Sequence, residues 1–382
     1  MTEIETPLPP VSVIVLNYNG REFVRACLNS IRAQVYPDFE VLFVDNGSTD
    51  GSAELVSEEY PWVKLIVSPK NLGFAGGNNL GVERASHDLV VLVNNDVVVQ
   101  DGWLAELVAA ISEPNVGIAS SLCHTDGMPK LFYARNGTLN LLGQNIMLAF
   151  EKPEDIFYAS GCSMIFRKSD IGLPFDADYF AYSEDVHLGF RVRFSGKLVR
   201  HTNKSFLLHF GGGTAKKQAS AFVTFYQERN RLLNLLLFFG PGTRLKLIPY
   251  FLFNSVAKTG YGILKNRRGL SGVWKAYWWL VSHPRVISKK RRELAAQRLI
   301  DEKQVLKVMS CRLLDSESGG AKFINGMSKL YCTIVGIRTQ EHFPTSPLLE
   351  KLRSDMSDPA VMNERIDLTD LRQSLNRVPN VE

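Results

Sequence analysis

Seven residues in four short stretches carry the side chains with which this sequence could do chemistry: Asp45, Asn94-Asn95-Asp96, Glu184-Asp185 and His209. One carboxylate beside two neutral amide oxygens suits a hard divalent cation that keeps its waters and borrows further ligands from a phosphate. Asp45 can accept a hydrogen bond from a pyrimidine N–H. Of the adjacent acids Glu184 and Asp185, one can serve as general base, with Tyr179, Phe180 and Tyr182 limiting water and helping to set its pKa. A neutral His209 could ligate the metal or contact a diphosphate. Each stretch also has a plainer reading. Asn, Asp and Gly make turns at strand ends, acids in a first helical turn complement the dipole, and a lone histidine after an apolar run is commonly structural.

The elements that must position these residues can be read from periodicity. Val11–Leu16, Val41–Val44 and Val63–Val67 are short apolar strands, and Val90–Val99 is a longer run suited to a strand buried on both faces of a parallel sheet. Phe23, Cys27, Ile31 and Val35 recur at helical spacing, ending before Pro37. A second helix, capped by Asp50 or Ser52, runs to about Tyr60. Asn71–Asn79 is a glycine-rich loop leading into a short helix. This strand–helix rhythm predicts a parallel sheet with right-handed crossovers. The exits Asn17–Gly20, Asp45–Gly51 and Asn94–Asp96 then gather at one edge, together with the glycine-rich loop, as a nucleotide site requires. Neither G-x-G-x-x-G nor the G-x-x-x-x-G-K-[ST] phosphate loop is present. Further along, Trp103–Ile111 reads as a helix, Val116–Ala119 and Phe157–Phe166 as strands, and Ser120–Pro153 as an irregular loop shaping the acceptor side. Cys162 reads as a small core residue. Ser183 is a plausible N-cap for a helix whose face carries Val186, Phe190 and Phe194.

The whole chain has 382 residues, 45% of them hydrophobic and 22% charged, with net charge +5. That suits one large domain or two with a substantial core. Five scattered cysteines without a C-x-x-C pair argue against a zinc site or disulfide framework and fit a reducing compartment. The acidic start lacks an apolar signal core, and no run of about 20 apolar residues predicts a transmembrane helix.

Taken together, Ser12–Asn19, Val44–Gly51, Asn71–Gly81, Leu92–Asp96, Ser183-Glu184-Asp185 and His209-Phe210-Gly211-Gly212 resemble the family 2 glycosyltransferases of GT-A fold, over roughly residues 10–235. The branch that includes bacterial rhamnosyltransferases is the most similar. The resemblance implies a mostly parallel sheet flanked by helices. It implies an inverting transfer of hexose or deoxyhexose from a nucleotide-diphosphate sugar, such as dTDP-rhamnose or a UDP-sugar. The acceptor would be a hydroxyl of a glycan or lipid-linked acceptor in polysaccharide assembly. It places Asp45 on the nucleotide base, Asn17 and Asn71 in the nucleoside pocket, and Gly73, Asn78 and Asn95 around the donor. Asp96 matches the last acid of the metal-binding D-x-D element, so the implied cofactor is Mg²⁺ or Mn²⁺, with His209 on metal or diphosphate. Asp185 matches the catalytic base and Glu184 the residue that orients the acceptor. Asn94 replaces the first acid common at the metal element, and Asn78 an arginine. The Q-x-x-R-W element of processive synthases is absent, so transfer of one or a few sugars is expected.

Between Arg229 and Arg292 the sequence has fourteen Lys and Arg and no Asp or Glu. Interleaved aromatics make this a basic amphipathic helical region (236–314) suited to an anionic membrane surface. Nucleic-acid binding and a packing or homo-oligomer interface are the other readings; the membrane reading is preferred, with no nucleic acid. It implies a cytoplasmic protein, peripheral on that face of the membrane. Glu293–Leu314 reads as one more helix, Asp315–Ala321 as a linker, and the polar remainder to 382 as a partly disordered tail. A sugar nucleotidyltransferase would need a lysine-bearing glycine-rich loop near the N-terminus, which is not found. A carbohydrate-binding protein with little catalysis is the remaining alternative.

Overall fold

The computed structural model describes residues 8–126, 138–146, 156–211, 220–314, 318–342 and 368. In chain order the first half forms β1 (Val11–Asn17), α1 (Arg21–Arg32), β2 (Phe39–Asp45), α2 (Ser52–Glu59), β3 (Lys64–Val67), α3 (Gly73–Arg84), β4 (Leu89–Asn94), β5 (Val97–Val99), α4 (Trp103–Ile111) and β6 (Val116–Thr125). The short strands β7 (Thr138–Leu139) and β8 (Asn145–Ile146) pair with each other, and β9 (Ser163–Arg167), α5 (Lys168–Ile171), α6 (Glu184–Phe194) and β10 (Leu198–His209) follow. Helices then complete the fold: α7 (Ala221–Phe238), α8 (Pro241–Leu264), α9 (Arg267–Ser282), α10 (Pro284–Ala295), α11 (Glu302–Lys307) and α12 (Gly319–Val335).

The main sheet has eight strands in the order β3-β2-β1-β4-β9-β6-β10-β5. Strands β1–β4 run parallel, and β6 and β10 run parallel to each other. Strand β9 lies antiparallel between β4 and β6, and β5 is antiparallel on β10. Apolar side chains of β1, β2 and β4 are buried on both faces, under α1, α2 and α4 on one side and α3 on the other. This explains why these strands read as unbroken Val/Ile/Leu runs. The sheet curls far enough for β5 to reach α1, where Val99 N–H donates to Ser30 Oγ at 3.1 Å.

Several expectations are corrected. The run Val90–Val99 is two strands: Asn95-Asp96 breaks it, and β5 crosses to the far edge to close on β10. The glycine-rich segment is helical from Gly73 rather than a loop. Of Phe157–Phe166 only the residues from Ser163 onward are strand, in β9, which extends to Arg167 and runs antiparallel. Val35 lies outside α1 and is exposed, because the helix stops at Arg32. Glu293–Leu314 is not one helix: α10 ends at Ala295, and Asp301 caps a new helix by accepting from Lys303 N–H at 2.7 Å. The expected linker 315–321 runs into α12, whose Ala321, Ser328 and Cys332 are buried. The boundary expected at 235 falls inside α7, because that helix shares a core with α6, including the stacked rings of Phe190 and Phe238. Most of Ser120–Pro153, residues 212–214 of the histidine segment, and most of the tail lie outside the described residues. Among the described residues no helix is long and apolar enough to cross a membrane.

Candidate active site

Five parallel strands end at the same edge of the sheet, and their last residues are Asn17, Asp45, Asn94, Thr125 and His209. That edge is where open α/β sheets bind ligands. At its centre Asp96 Oδ1 faces His209 Nε2 at 3.2 Å, and the two side chains are only 13% and 16% exposed. Thr125 Oγ1 lies 3.2 Å from Nδ1 of the imidazole, and Phe210 N–H donates to the main-chain oxygen of Asp96 at 2.9 Å, tying the two segments together. Burial alone would lower the histidine's pKa; the Asp96 carboxylate and Cys123 outweigh it and push the pKa up to about 10. This environment favours an imidazolium paired with Asp96, whereas ligation of a metal requires the neutral imidazole. A hard cation completed by phosphate oxygens and water fits this carboxylate–imidazole pair. Cys123 Sγ and Cys162 Sγ lie 3.8 Å apart behind it, and with His209 they bring three ligand-type atoms within 4.8 Å of one another. Cys162 is buried, as a core residue should be, yet it is a neighbour of the site.

One side of this edge is a lattice of short polar side chains. Asn17 Nδ2 lies within hydrogen-bond distance of Asp45 Oδ1 (3.2 Å), Ser48 Oγ (3.1 Å) and Ser52 Oγ (2.8 Å), while Asn17 Oδ1 accepts from Asn95 Nδ2 at 2.5 Å. Asp45 Oδ2 accepts from Ser48 N–H at 3.0 Å. The exits of β1, β2 and β4 are thus tied to one another. A Cβ at Gly20 would lie 2.0 Å from Asn95 Nδ2, so a larger residue there would displace that side chain from the lattice. Asn46, which the sequence reading did not single out, connects this lattice to the next segment. Its amide donates to Asn71 Oδ1 (3.1 Å) and Gly73 O (3.0 Å), and its oxygen accepts from Leu72 N–H (2.9 Å). Asn17 and Asp45 are buried in the floor of the crevice, whereas Asn71 and Asn95 are half-buried at its edge. Asn78 lies on α3. That side chain is buried, and its amide donates back to Phe74 O of its own helix at 2.9 Å.

The other side centres on the loop entering α6. Phe180, Tyr182 and Ser183 all have positive φ, at 60°, 72° and 62°; among the described non-glycine residues only Asn19 shares that feature. Each such residue costs about 1–3 kcal/mol and persists only where surroundings impose it. Here the surroundings are two asparagines of α7. Asn230 Nδ2 lies 3.0, 2.9 and 2.7 Å from the carbonyl oxygens of Tyr179, Ala181 and Tyr182, and Asn234 Nδ2 donates to Ser183 O at 3.1 Å. Tyr179 hydroxyl in turn donates to Asn234 Oδ1 at 2.5 Å. Ser183 occupies the N-cap position, but its left-handed backbone keeps the hydroxyl from capping, which corrects that expectation. Phe180 O accepts from Ala75 N–H at 3.0 Å, and Gly73, at φ +73°, has no room for a Cβ beside that carbonyl.

The two acids diverge. Glu184 is buried; burial and the neighbouring Asp185 charge raise its pKa well above the usual range, which favours the neutral acid, and Oε2 has no hydrogen-bond partner among the described residues. Asp185 is partly exposed and its pKa is raised to about 6 by burial, held there by the N–H groups of Val186 (2.7 Å) and Gly161 (3.4 Å). Gly161 adjoins Cys162, whose carbonyl accepts from Asn94 N–H at 3.1 Å. A relay of hydrogen bonds through Asn46, Gly73, Phe180, Gly161 and Cys162 thus connects the segments that carry Asp45, Asp96 and Asp185, up to 140 residues apart in sequence.

Residues 12–172 match the family described as Glycosyl transferase family 2. The chain is 32% identical over 136 residues to Glycosyltransferase AglE of Haloferax volcanii, a match spanning 34% of this chain and 43% of that protein. It is 28% identical over 231 residues to N-acetylglucosaminyl-diphospho-decaprenol L-rhamnosyltransferase of Mycobacterium tuberculosis, covering 52% of this chain and 75% of that protein. In fold it is similar to S. aureus TarS 1-349 in complex with UDP-GlcNAc, with TM-score 0.51, 16% identity, and 86% of this chain and 90% of that chain covered. It is also similar to GalNAc-T7 with UDP, GalNAc and Mn²⁺, with TM-score 0.52, 14% identity, and 63% and 51% covered. The curled, mostly parallel sheet with its helices is thus a GT-A architecture.

Proposed function

We propose that this chain, which carries a glycosyl transferase family 2 domain over residues 12–172, moves a sugar from a nucleotide-diphosphate donor to a hydroxyl of a glycan or lipid-linked acceptor, with inversion at the anomeric carbon. The observation that carries this reading is the relay of hydrogen bonds connecting the segments that carry Asp45, Asp96–His209 and Asp185. Asp45 and the Asn17–Asn95 lattice would receive the nucleoside, with Asn71 and Gly73 at its rim. Asp96 and His209 would hold Mg²⁺ or Mn²⁺, which when bound offsets charge on the departing diphosphate. Asp185, the open carboxylate, would take the proton of the attacking hydroxyl. Its raised pKa keeps it deprotonated yet basic near neutral pH. Buried, protonated Glu184 would offer an O–H to orient the acceptor. Holding donor and acceptor together supplies much of the remaining acceleration.

Support for a sugar donor in polysaccharide assembly comes from the rhamnosyltransferase relative, whose name specifies a diphospho-decaprenol acceptor, and from the fold neighbours bound to UDP or UDP-GlcNAc. The basic, aromatic-rich helices α8–α10 suit contact with an anionic membrane from the side where nucleotide sugars are found. The test is incubation of the full chain with labelled nucleotide sugars, after a thermal-shift screen to find the donor that binds. Transfer of label to an acceptor supports the reading. Pyrophosphate-dependent cleavage instead would identify a nucleotidyltransferase, and binding without turnover a carbohydrate-binding protein.

A further inference from the structure

Helices α7, α8 and α9 enclose a cleft of about 540 Å³ on the side of α7 away from the loop before Asp185. Its wall is almost wholly aliphatic and aromatic, with Leu235, Leu247 and Leu280 among the lining residues. Its rim includes Leu245, Ile248, Phe251 and Val281, which are exposed to solvent, and Trp278 stands exposed on the same helix as Val281. An enclosed apolar space that opens through an apolar rim is uncommon on a free surface and marks a binding region. Two arginines line it. Arg231 is committed: with Lys258 it neutralises the buried Glu228, whose carboxylate also accepts from Asn254 and Tyr277 and is held at about 2 against the effect of burial. Arg244 is not. Its guanidinium lines the cleft, and its Nε–H is buried without a hydrogen-bond partner among the described residues.

We infer that this cleft takes a hydrocarbon chain of a membrane lipid with an anionic phosphate headgroup, the phosphate lying against Arg244. Arg244 supplies the positive charge, in a stretch (229–292) with fourteen cations and no acid, of which Arg231, Lys258 and Lys290 are already ion-paired with Glu228 and Asp176. Because α7 also holds the Asp185 loop through Asn230 and Asn234, a lipid seated here would lie across one helix from the acceptor site. The inference rests on the transferase reading only for that last consequence.

The full chain is incubated with vesicles of phosphatidylglycerol or of phosphatidylcholine and re-isolated, and its extracted lipid is quantified. About one phosphatidylglycerol per chain is expected. Leu235→Trp, which fills the cleft, should abolish retention, while sedimentation with the vesicles through the exposed aromatics persists. Arg244→Gln should weaken phosphatidylglycerol retention at least about tenfold, as loss of one charge-assisted hydrogen bond implies, with the melting temperature unchanged. If Leu235→Trp lowers the melting temperature, Leu280→Phe replaces it. An empty wild-type chain, equal retention by the filled and wild-type forms, equal uptake of phosphatidylcholine, or a dimer that covers the cleft and excludes lipid would overturn the inference. Donor binding, followed by thermal shift in the same samples, separates the two ideas. Lipid retained without a donor response contradicts the transferase reading alone, and donor response without lipid contradicts the cleft alone.

Discussion

The two sides of the crevice are built differently. On the donor side, Asn17, Asp45, Ser48, Ser52 and Asn95 lie at or just beyond strand ends and bond to one another, so the sheet register itself sets their geometry. On the acceptor side, the loop carrying Glu184 and Asp185 is held in three left-handed residues by asparagines some 50 positions later in the chain. A site made of strand ends is rigid and locally encoded. A site made of a strained loop depends on a distant clamp, and stays adjustable by whatever touches that clamp.

Mutations should separate the two sides. The largest effect is expected for Asp185→Asn, which removes the base: kcat should fall about 10²–10⁴-fold with the donor-induced thermal shift intact. Asp96→Ala should lower transfer about 10²–10³-fold and also weaken metal-dependent donor binding, measured by titration with and without excess chelator. A smaller, graded effect is expected from pH. Asp185 must be deprotonated to accept a proton, so kcat should be level above its pKa of about 6 and fall roughly tenfold per unit below it. Asn230→Ala should release three carbonyl oxygens, lower stability by about 1–3 kcal/mol and reduce kcat several-fold while leaving KM for the donor unchanged; a shift confined to KM would place α7 on the donor side instead. Asn78→Ala, which loses one bond within its own helix, should cost only about 0.5–1.5 kcal/mol in thermal unfolding and leave donor binding untouched.

That contrast also explains how much was legible in the sequence. The strands announced themselves because doubly buried strands are unbroken apolar runs, and the chemistry followed at their ends. Asn46 was missed in role though it sits inside a quoted motif, because only the fold shows that it spans to Asn71 and Gly73. Asn230 and Asn234 left a fainter trace: two amides four residues apart, hence on one helical face. The break at Asn95-Asp96 could not be read from hydropathy, since β5 is as apolar as β4 and its partner β10 lies 100 residues on. The helical start of the glycine-rich segment was hidden for the opposite reason. Its glycines are low in helix propensity but are selected for close packing, as where Gly81 meets Ile14 and Val44.

The most direct test of convergence is a crystal structure of the full chain with the identified nucleotide diphosphate and Mn²⁺. The account predicts the base over Asp45, the diphosphate on a metal held by Asp96 and His209, and the leaving oxygen directed toward the space that Asp185 faces. A nucleotide bound on another surface, or a metal held without Asp96, would contradict it.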